Sequence, residues 1–299
     1  DGEMEGTWTY WYEEVDKDSE VKCKLINYNK GKMHGVFKEW HSDGSLWVGS
    51  SNGLNRIING EITTLNQAYE RDPLSVLSLT EDKNGDVWLG TYTGGLMKVV
   101  NNKIYPVKNR TNGLLNNEVR AVLFDSSHNL WIGTASGLTK LTDDGQIHSY
   151  TTEEGLAGNF IMALAEDNQG RLWVGTGVGV SIFDPALNTF SNIEFPEKFS
   201  TEYAFGFYLD GEKMWLATDR GLIRYDLKID VMHLFGREQG LPVDKLFQVI
   251  EQGDSLWLTS NRGVIQLNKT QLTEFLDNPT GAESVVVSMQ LYDEGDGML

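Results

Sequence analysis

Thiols, long apolar runs and positive charge are all scarce in this sequence. A single cysteine, Cys23, stands among 299 residues, so no internal disulfide forms, and no Cys-x-x-Cys or Cys/His cluster suggests zinc. The compartment stays open on that ground, because proteins of oxidising compartments also exist without bridges. No apolar stretch approaches the ~18 residues of a membrane-spanning helix, and no signal peptide opens the chain. The first residues, "DGEMEGTW", do not include a Met at position 1, which reads as a piece of something larger. Lysine and arginine number 25 against 43 acids, a formal net charge of −18. So acidic a surface repels phosphate backbones and anionic lipid headgroups, which disfavours nucleic-acid and membrane-surface binding.

What the chain does have is apolar and aromatic, and it recurs. Hydrophobic residues make up 40% and aromatics 11%, ample for a packed core. Nearly one phrase is written six times: "LWVGSSNGLNRI" from Leu46, "VWLGTYTGGLMKV" from Val87, "LWIGTASGLTKL" from Leu130, "LWVGTGVGVSIF" from Leu172, "MWLATDRGLIRY" from Met214 and "LWLTSNRGVIQL" from Leu256. Its tryptophans, Trp47, Trp88, Trp131, Trp173, Trp215 and Trp257, are 41, 43, 42, 42 and 42 residues apart by subtraction. A period of ~40–45 residues is that of a four-stranded β-propeller blade. Helical repeats are excluded by the wealth of Val, Ile, Thr, Trp and Tyr and the Gly, Asn and Asp punctuation.

One unit parses strand by strand. "VRAVLFD" from Val119 is an innermost strand, "LWIGT" the second, "LTKLT" the third and "IHSYTT" a polar outer strand. "DDGQ" supplies the last hairpin turn, and "EEGLAGN" crosses to the next blade. The tryptophan is expected to fill the wedge between neighbouring sheets. Six residues later Gly53, Gly137, Gly179, Gly221 and Gly263 recur, with Gly94 and Gly95 in the longer second repeat, which points to a loop residue at positive φ or a close backbone approach. Small residues, Ser78, Ala121, Ala163 and Gly206, are expected where inner strands converge, with Phe37 and Gln248 as exceptions.

The blade count needs the ends of the chain. Trp8 in "GTWTYWYEE" lies 39 residues before Trp47, and "TWTYWY" with "VKCKLINYN" reads as the second and third strands of a blade lacking its first. "SVVVSMQLY" from Ser284 reads as an unattached innermost strand. Joining them predicts an all-β, seven-bladed propeller of four-stranded antiparallel blades, its ring closed by N- and C-terminal strands, with residues 1–299 as one domain.

The strings "NGLLNNEVRAVLFDSSHNLWIGTASGLTKL" from Asn112 and "EEGLAGNFIMALAEDNQGRLWVGTGVGVSIFD" from Glu153 resemble the two-component regulator propeller repeat, whose pattern runs Gly-Leu, Asn, an apolar strand, Asp, Gly, Leu-Trp, Gly-Thr, Gly-Leu. The resemblance covers roughly residues 30–275 in register; the fifth repeat departs most, lacking the Gly-Leu and carrying Ala217 where Gly is usual. It implies an extracytoplasmic sensor region of a bacterial inner-membrane receptor, facing the periplasm, non-catalytic itself. A histidine kinase or diguanylate cyclase output would follow beyond this piece. It implies no cofactor, a small-molecule or oligosaccharide ligand, and a homodimer in the intact receptor.

Other motifs have bland explanations. "GSSNG" from Gly49 matches G-x-S-x-G, but that motif needs a strand-to-helix turn with His and acid partners. "GTGVGV" from Gly175 is followed by a strand, not the helix a phosphate loop requires. "DKDSE" at Asp16, Asp18 and Glu20 lacks the central Gly and distal Glu of a calcium loop. His34, His41, His128, His148 and His233 share no spacing that would converge them on a channel, so no metal site is expected. The remaining candidates are positional: the loop after each Trp strand and the crossover between blades emerge on one face. There lie Tyr92, Asp219, Arg220, Asn261 and Arg262, with Glu202 and Tyr203 from a crossover. Arg120 stands where other repeats hold Leu77, Met162, Phe205 and Phe247; it either binds an anion or sugar hydroxyls, or pairs with Glu118. A sensor, a propeller hydrolase or lyase, and a pure interaction or dimerisation platform are the competing functions, the sensor being preferred.

Overall fold

A computed structural model describes residues 27–29, 32–34, 37–40, 44–65, 74–199, 201–278, 286–293 and 296. Six four-stranded antiparallel sheets follow one another. Blade one comprises Phe37–Trp40, Leu46–Ser50, Gly53–Ile58 and Glu61–Leu65. Blade two comprises Val76–Glu81, Val87–Thr91, Leu96–Val100 and Lys103–Lys108. Blade three is Val119–Phe124, Leu130–Thr134, Gly137–Leu141 and Ile147–Tyr150, as its sequence parsed. Blade four is Ile161–Glu166, Leu172–Thr176, Gly179–Asp184 and Thr189–Asn192. Blade five is Ala204–Asp210, Lys213–Thr218, Gly221–Asp226 and Val231–Phe235. Blade six is Leu246–Gln252, Ser255–Ser260, Gly263–Asn268 and Met289–Tyr292. Innermost strands of successive blades pack side by side from blade one to blade six.

Among the described residues the count of seven is therefore corrected to six. The strand expected to open a seventh blade is Met289–Tyr292, and it pairs with Gly263–Asn268 as the outer strand of blade six. Sequence reasoning missed why that blade needed it. After Asn268 the chain forms a helix, α1 (Lys269–Asp277), N-capped by the Asn268 side chain accepting from the Gln271 amide. Leu272 and Leu276 bury its inner stripe, and Phe275 meets Phe235 of blade five edge-on at 5.6 Å. Only after this excursion does the chain return to complete the sheet, so Met289–Tyr292 is not the innermost strand of a further blade, and most of the N-terminal segment expected to share the closure lies outside the described residues. At the other end, Asn27–Asn29 pairs with Lys32–His34 as a two-stranded hairpin rather than within a blade. Trp8, Asp16, Asp18, Glu20, Cys23 and His41 lie outside the described residues.

The core is distributed between blades. Five apolar clusters occupy the five interfaces from blade one to blade six, each with one repeat tryptophan packed in it: Trp47, Trp88, Trp131, Trp173 and Trp215. Trp131 meets Phe183 of the next blade edge-on at 5.2 Å, and Trp173 meets Tyr225 at 5.3 Å. Trp257 differs: it is half-buried and stacks on Tyr292 of its own blade at 5.8 Å.

Each repeated residue answers a local need. The Thr or Ser three positions after each tryptophan donates to the carbonyl of the following glycine, at 2.8 Å for Thr134 and Gly137. The glycines six positions after the tryptophan have φ between 126° and 138°, and Gly95 takes the role in blade two at 81°. Six residues before the tryptophan, Asp82, Asp125 and Asp167 accept the indole N–H of Trp88, Trp131 and Trp173 at 2.9, 2.8 and 2.9 Å. The same carboxylates accept two amides of their own turn. Blade five has Leu209 at that spacing, and the buried Trp215 Nε1 has no hydrogen-bond partner. The Gly-Leu of the crossovers also has a reason. Gly113, Gly155 and Gly240 have φ of 129°, 104° and 103°, and each is followed by a buried leucine, Leu114, Leu156 or Leu241. Blade five lacks the pair and buries Phe199 instead.

Candidate functional site on the crossover face

In blades two, three and four the loop after the Trp strand is stitched to the preceding crossover. Tyr92, Ala135 and Gly177 donate their amides to the carbonyls of Ser75, Glu118 and Phe160 at 2.9, 3.1 and 2.9 Å. The expectation that both loop sets share one face therefore has a direct structural basis. Next to these anchors, the innermost strands of blades two to six all open with the same irregularity. Their register shifts fall between Val76 and Ser78, Val119 and Ala121, Ile161 and Ala163, Ala204 and Gly206, and Leu246 and Gln248. The displaced residues are Leu77, Arg120, Met162, Phe205 and Phe247. A bulge frees one side chain from ladder pairing and re-aims it, so one variable position is offered per blade near the axis. The next positions must stay small: a Cβ on Gly206 would lie 2.6 Å from the Phe247 carbonyl oxygen.

Arg120 takes the paired one of its two expected descriptions. Its Nη1 lies 2.5 Å from Glu118 Oε1, and its guanidinium sits 4.6 Å from the centroid of the Phe160 ring. Asp219 Oδ1 accepts from the Thr201 hydroxyl and from the amides of Glu202 and Tyr203, at 3.1, 3.2 and 3.1 Å. Its other oxygen lies 3.6 Å from Arg220 Nε. Asp219 thus fixes the crossover that carries Tyr203, whose ring stacks on Phe205 at 5.6 Å and 10°. Tyr92, Asn261 and Arg262 stand on other blades as exposed loop side chains.

Sequence reasoning missed the aromatic continuity. Phe205 meets Phe247 edge-on at 5.4 Å, and Lys245 Nζ lies 5.3 Å from the Phe205 centroid and 5.8 Å from that of Phe247. A Cβ on Gly177 would meet Phe160 on one side at 3.5 Å and Tyr203 on the other at 3.7 Å. Arg120, Phe160, Gly177, Tyr203, Phe205 and Lys245 therefore form a connected shelf across blades three to six. The signal was present in the repeat alignment, where Phe205 and Phe247 were read only as apolar.

Two cavities lie elsewhere. One of about 400 Å³ is lined by Glu251, Asp254, Lys269 and Glu274 between α1 and blade six. One of about 340 Å³ lies at the rim of blades one and two beside Arg56, Glu61 and Asn102. Near the first, burial pushes the Lys269 amine down but is outweighed by Asp210 and Glu251, which hold its pKa above the ordinary value. Tyr208 is pushed upward by burial and by its 3.0 Å bond to Glu251. These groups brace α1 against the blades, and neither cavity has aromatic lining. Among the described residues no group of three or more His, Cys, Asp and Glu side chains converges as for a metal ion. Among them, too, no helix is long and apolar enough to cross a membrane.

Comparison with known proteins agrees with this architecture. Residues 71–93, 113–136 and 155–177 match the family model described as two component regulator propeller. No curated protein matches the chain. Among solved structures, the chain is similar to the extracellular domain of BT3049 of B. thetaiotaomicron, assigned as a hybrid two component system. The identity is 22% and the TM-score 0.68, over 82% of this chain and 36% of that one. The corresponding domain of BT4673 from the same organism gives 16% and 0.71 over 92% and 36%. Virginiamycin B lyase of Staphylococcus aureus gives 14% and 0.63 over 85% and 83%. The chain thus spans about a third of the length of the two receptor domains, and at these identities the likeness is one of fold. Blades two to four of this propeller carry the two component regulator propeller repeat.

Proposed function

We propose that this propeller is the non-catalytic, extracytoplasmic sensing part of a bacterial two-component receptor, binding its ligand on the crossover face. The observation that carries the reading is the bulge shared by the innermost strands of blades two to six, which sets one side chain of varying chemistry at the start of each, while the repeated Asp, Trp, Thr and Gly are committed to turns and packing. The matching repeats support a sensor over a lyase, while the fold is common to both. A ligand here acts by binding one conformation of the receptor more tightly than another. An output domain and a periplasmic setting belong to this proposal, as does pairing of two receptors.

The test is a thermal-shift screen of the chain against oligosaccharides and small metabolites, repeated with Tyr203→Ala. A compound at a hundred times its Kd stabilises the native state by about 2.7 kcal/mol. The reading expects a shift that the variant abolishes. Chelator-sensitive turnover of a substrate, or a shift indifferent to every residue of the crossover face, would overturn it.

A further inference from the structure

Resting on that reading, we infer that the ligand of the crossover face is a small aromatic carboxylate, an anion with one negative charge on a planar apolar body. The shelf is built for flat rings. Phe160 and Tyr203 are 37% and 36% exposed and flank the side-chain-free Gly177, while Phe205 and Phe247 lie beneath, 8% and 3% exposed. A ring laid over Gly177 would meet two aromatic neighbours in the offset or edge-on arrangements such pairs favour. Gly177 matters because a Cβ there would lie 3.5 Å from the Phe160 side chain and 3.7 Å from the Tyr203 ring, taking up the space next to both.

Cations bracket this surface. The Arg120 guanidinium covers Phe160 at one end, and the exposed Lys245 amine lies over Phe205 and Phe247 at the other. Their presence is notable in a chain of net charge −18. The overall field repels polyanions strongly and a single carboxylate least, and the exposed Lys245 amine rewards one negative group at short range, the Arg120 charge being already met by Glu118. Of the carboxylates close by, Glu118 is held by Arg120 and Asp219 by the Thr201–Tyr203 crossover and Arg220, while the exposed Glu202 stands beside Tyr203. A sugar ring needs many paired donors and acceptors for its hydroxyls, and three of the four rings on this shelf are phenylalanines that offer none. Apolar ring faces with flanking cations fit an arylacetate better than a polyol.

The experiment is titration calorimetry of the whole chain with phenylacetate, phenylethylamine, cyclohexylacetate and glucuronate, with circular dichroism confirming the fold of each variant. The expected result is binding of phenylacetate, at least about tenfold weaker binding of glucuronate and cyclohexylacetate, and none of phenylethylamine. Lys245→Gln and Phe160→Ala should each weaken phenylacetate by about tenfold or more, while Leu187→Ser, at an exposed turn between the third and fourth strands of blade four, should leave it unchanged. Equal binding of glucuronate, or indifference to Lys245→Gln and Phe160→Ala, overturns the inference. If no arylacetate binds but an oligosaccharide gives a Tyr203-dependent thermal shift, the ligand class is wrong and the sensor reading stands. If neither kind of compound acts through this face, both fall.

Discussion

Removing one carboxylate from blade four should be unusually costly. Asp167 has a fully buried side chain that accepts from the amides of Gln169 and Arg171 at 2.9 and 3.1 Å, from Arg171 Nε at 2.7 Å and from Trp173 Nε1 at 2.9 Å. In Asp167→Ala the Trp173 indole, itself 0% exposed, would be left with a buried donor and no acceptor, at about 1–3 kcal/mol. The Arg171 side chain is 24% exposed and can turn toward water, so losing that pair adds little. The two turn amides add about 1–2 kcal/mol more, as when a side-chain cap is deleted. The expected loss is about 2–5 kcal/mol, read as a lowered urea midpoint at constant m-value. Blade five is the internal control, because Trp215 Nε1 already lacks a partner. Trp215→Phe should therefore cost about 1–3 kcal/mol less than Trp173→Phe. A loss below about 1 kcal/mol for Asp167→Ala, or equal costs for the two tryptophans, would refute the assignment of the aspartate as the indole's anchor.

Two further outcomes follow from the same repeat. Gly221→Ala should destabilise by at least about 2 kcal/mol more than Gly53→Ala in the same urea assay. Both glycines share a φ near 130°, at 126° and 128°, but only at Gly221 would a Cβ meet backbone, 2.5 Å from the Phe235 oxygen. Acid should weaken blade two. Burial pushes the Asp82 carboxyl up, but the Trp88 indole, the amides of Asp86 and Asn84, and Lys98 outweigh it and hold its pKa below the ordinary value. A depressed native pKa gives stability that is present above the unfolded value and lost as pH falls through the native one. The gap in stability between the parent and Asp82→Asn should therefore be constant near pH 6 and shrink below about pH 4; a gap that widens toward acid would reverse the sign.

The strand limits of blade three and the positive-φ glycines were legible because each is forced locally, by alternation in one case and turn geometry in the other. The blade count was not. "SVVVSMQLY" is apolar enough to read as an innermost strand, and only the packing of Leu272, Leu276 and Phe275 shows that the chain spends the preceding residues on a helix. Candidate residues on the crossover face were placeable by topology, since blade connections alternate between faces. Their grouping was not, because a bulge leaves the repeat length unchanged and Phe160, Phe205 and Lys245 meet only across blades.

The turns between the first two strands carry a difference that sequence does display and that has a dynamic consequence. Blades two, three and four write "DKNGD", "DSSHN" and "DNQGR" from Asp82, Asp125 and Asp167, and in each the first aspartate takes two turn amides and an indole. Blades five and six write "DGEK" and "QGDS", two-residue hairpins in which Asp210 pairs with Lys213 and Gln252 with Ser255, around Gly211 and Gly253 at φ of 58° and 59°. A tight turn replaces the aspartate cap there, and α1 takes over the bracing through Lys269, which reaches Asp210 and Glu251 at 2.8 and 2.5 Å. Side-chain capping protects the turn amides themselves, whereas bracing from α1 protects only the blades around them. Hydrogen exchange should accordingly be about tenfold slower, roughly 1.4 kcal/mol, at Arg171 and Asn129 than at Glu212 and Asp254. Equal protection at all four amides would mean that the ring, and not the local cap, sets the stability of these turns.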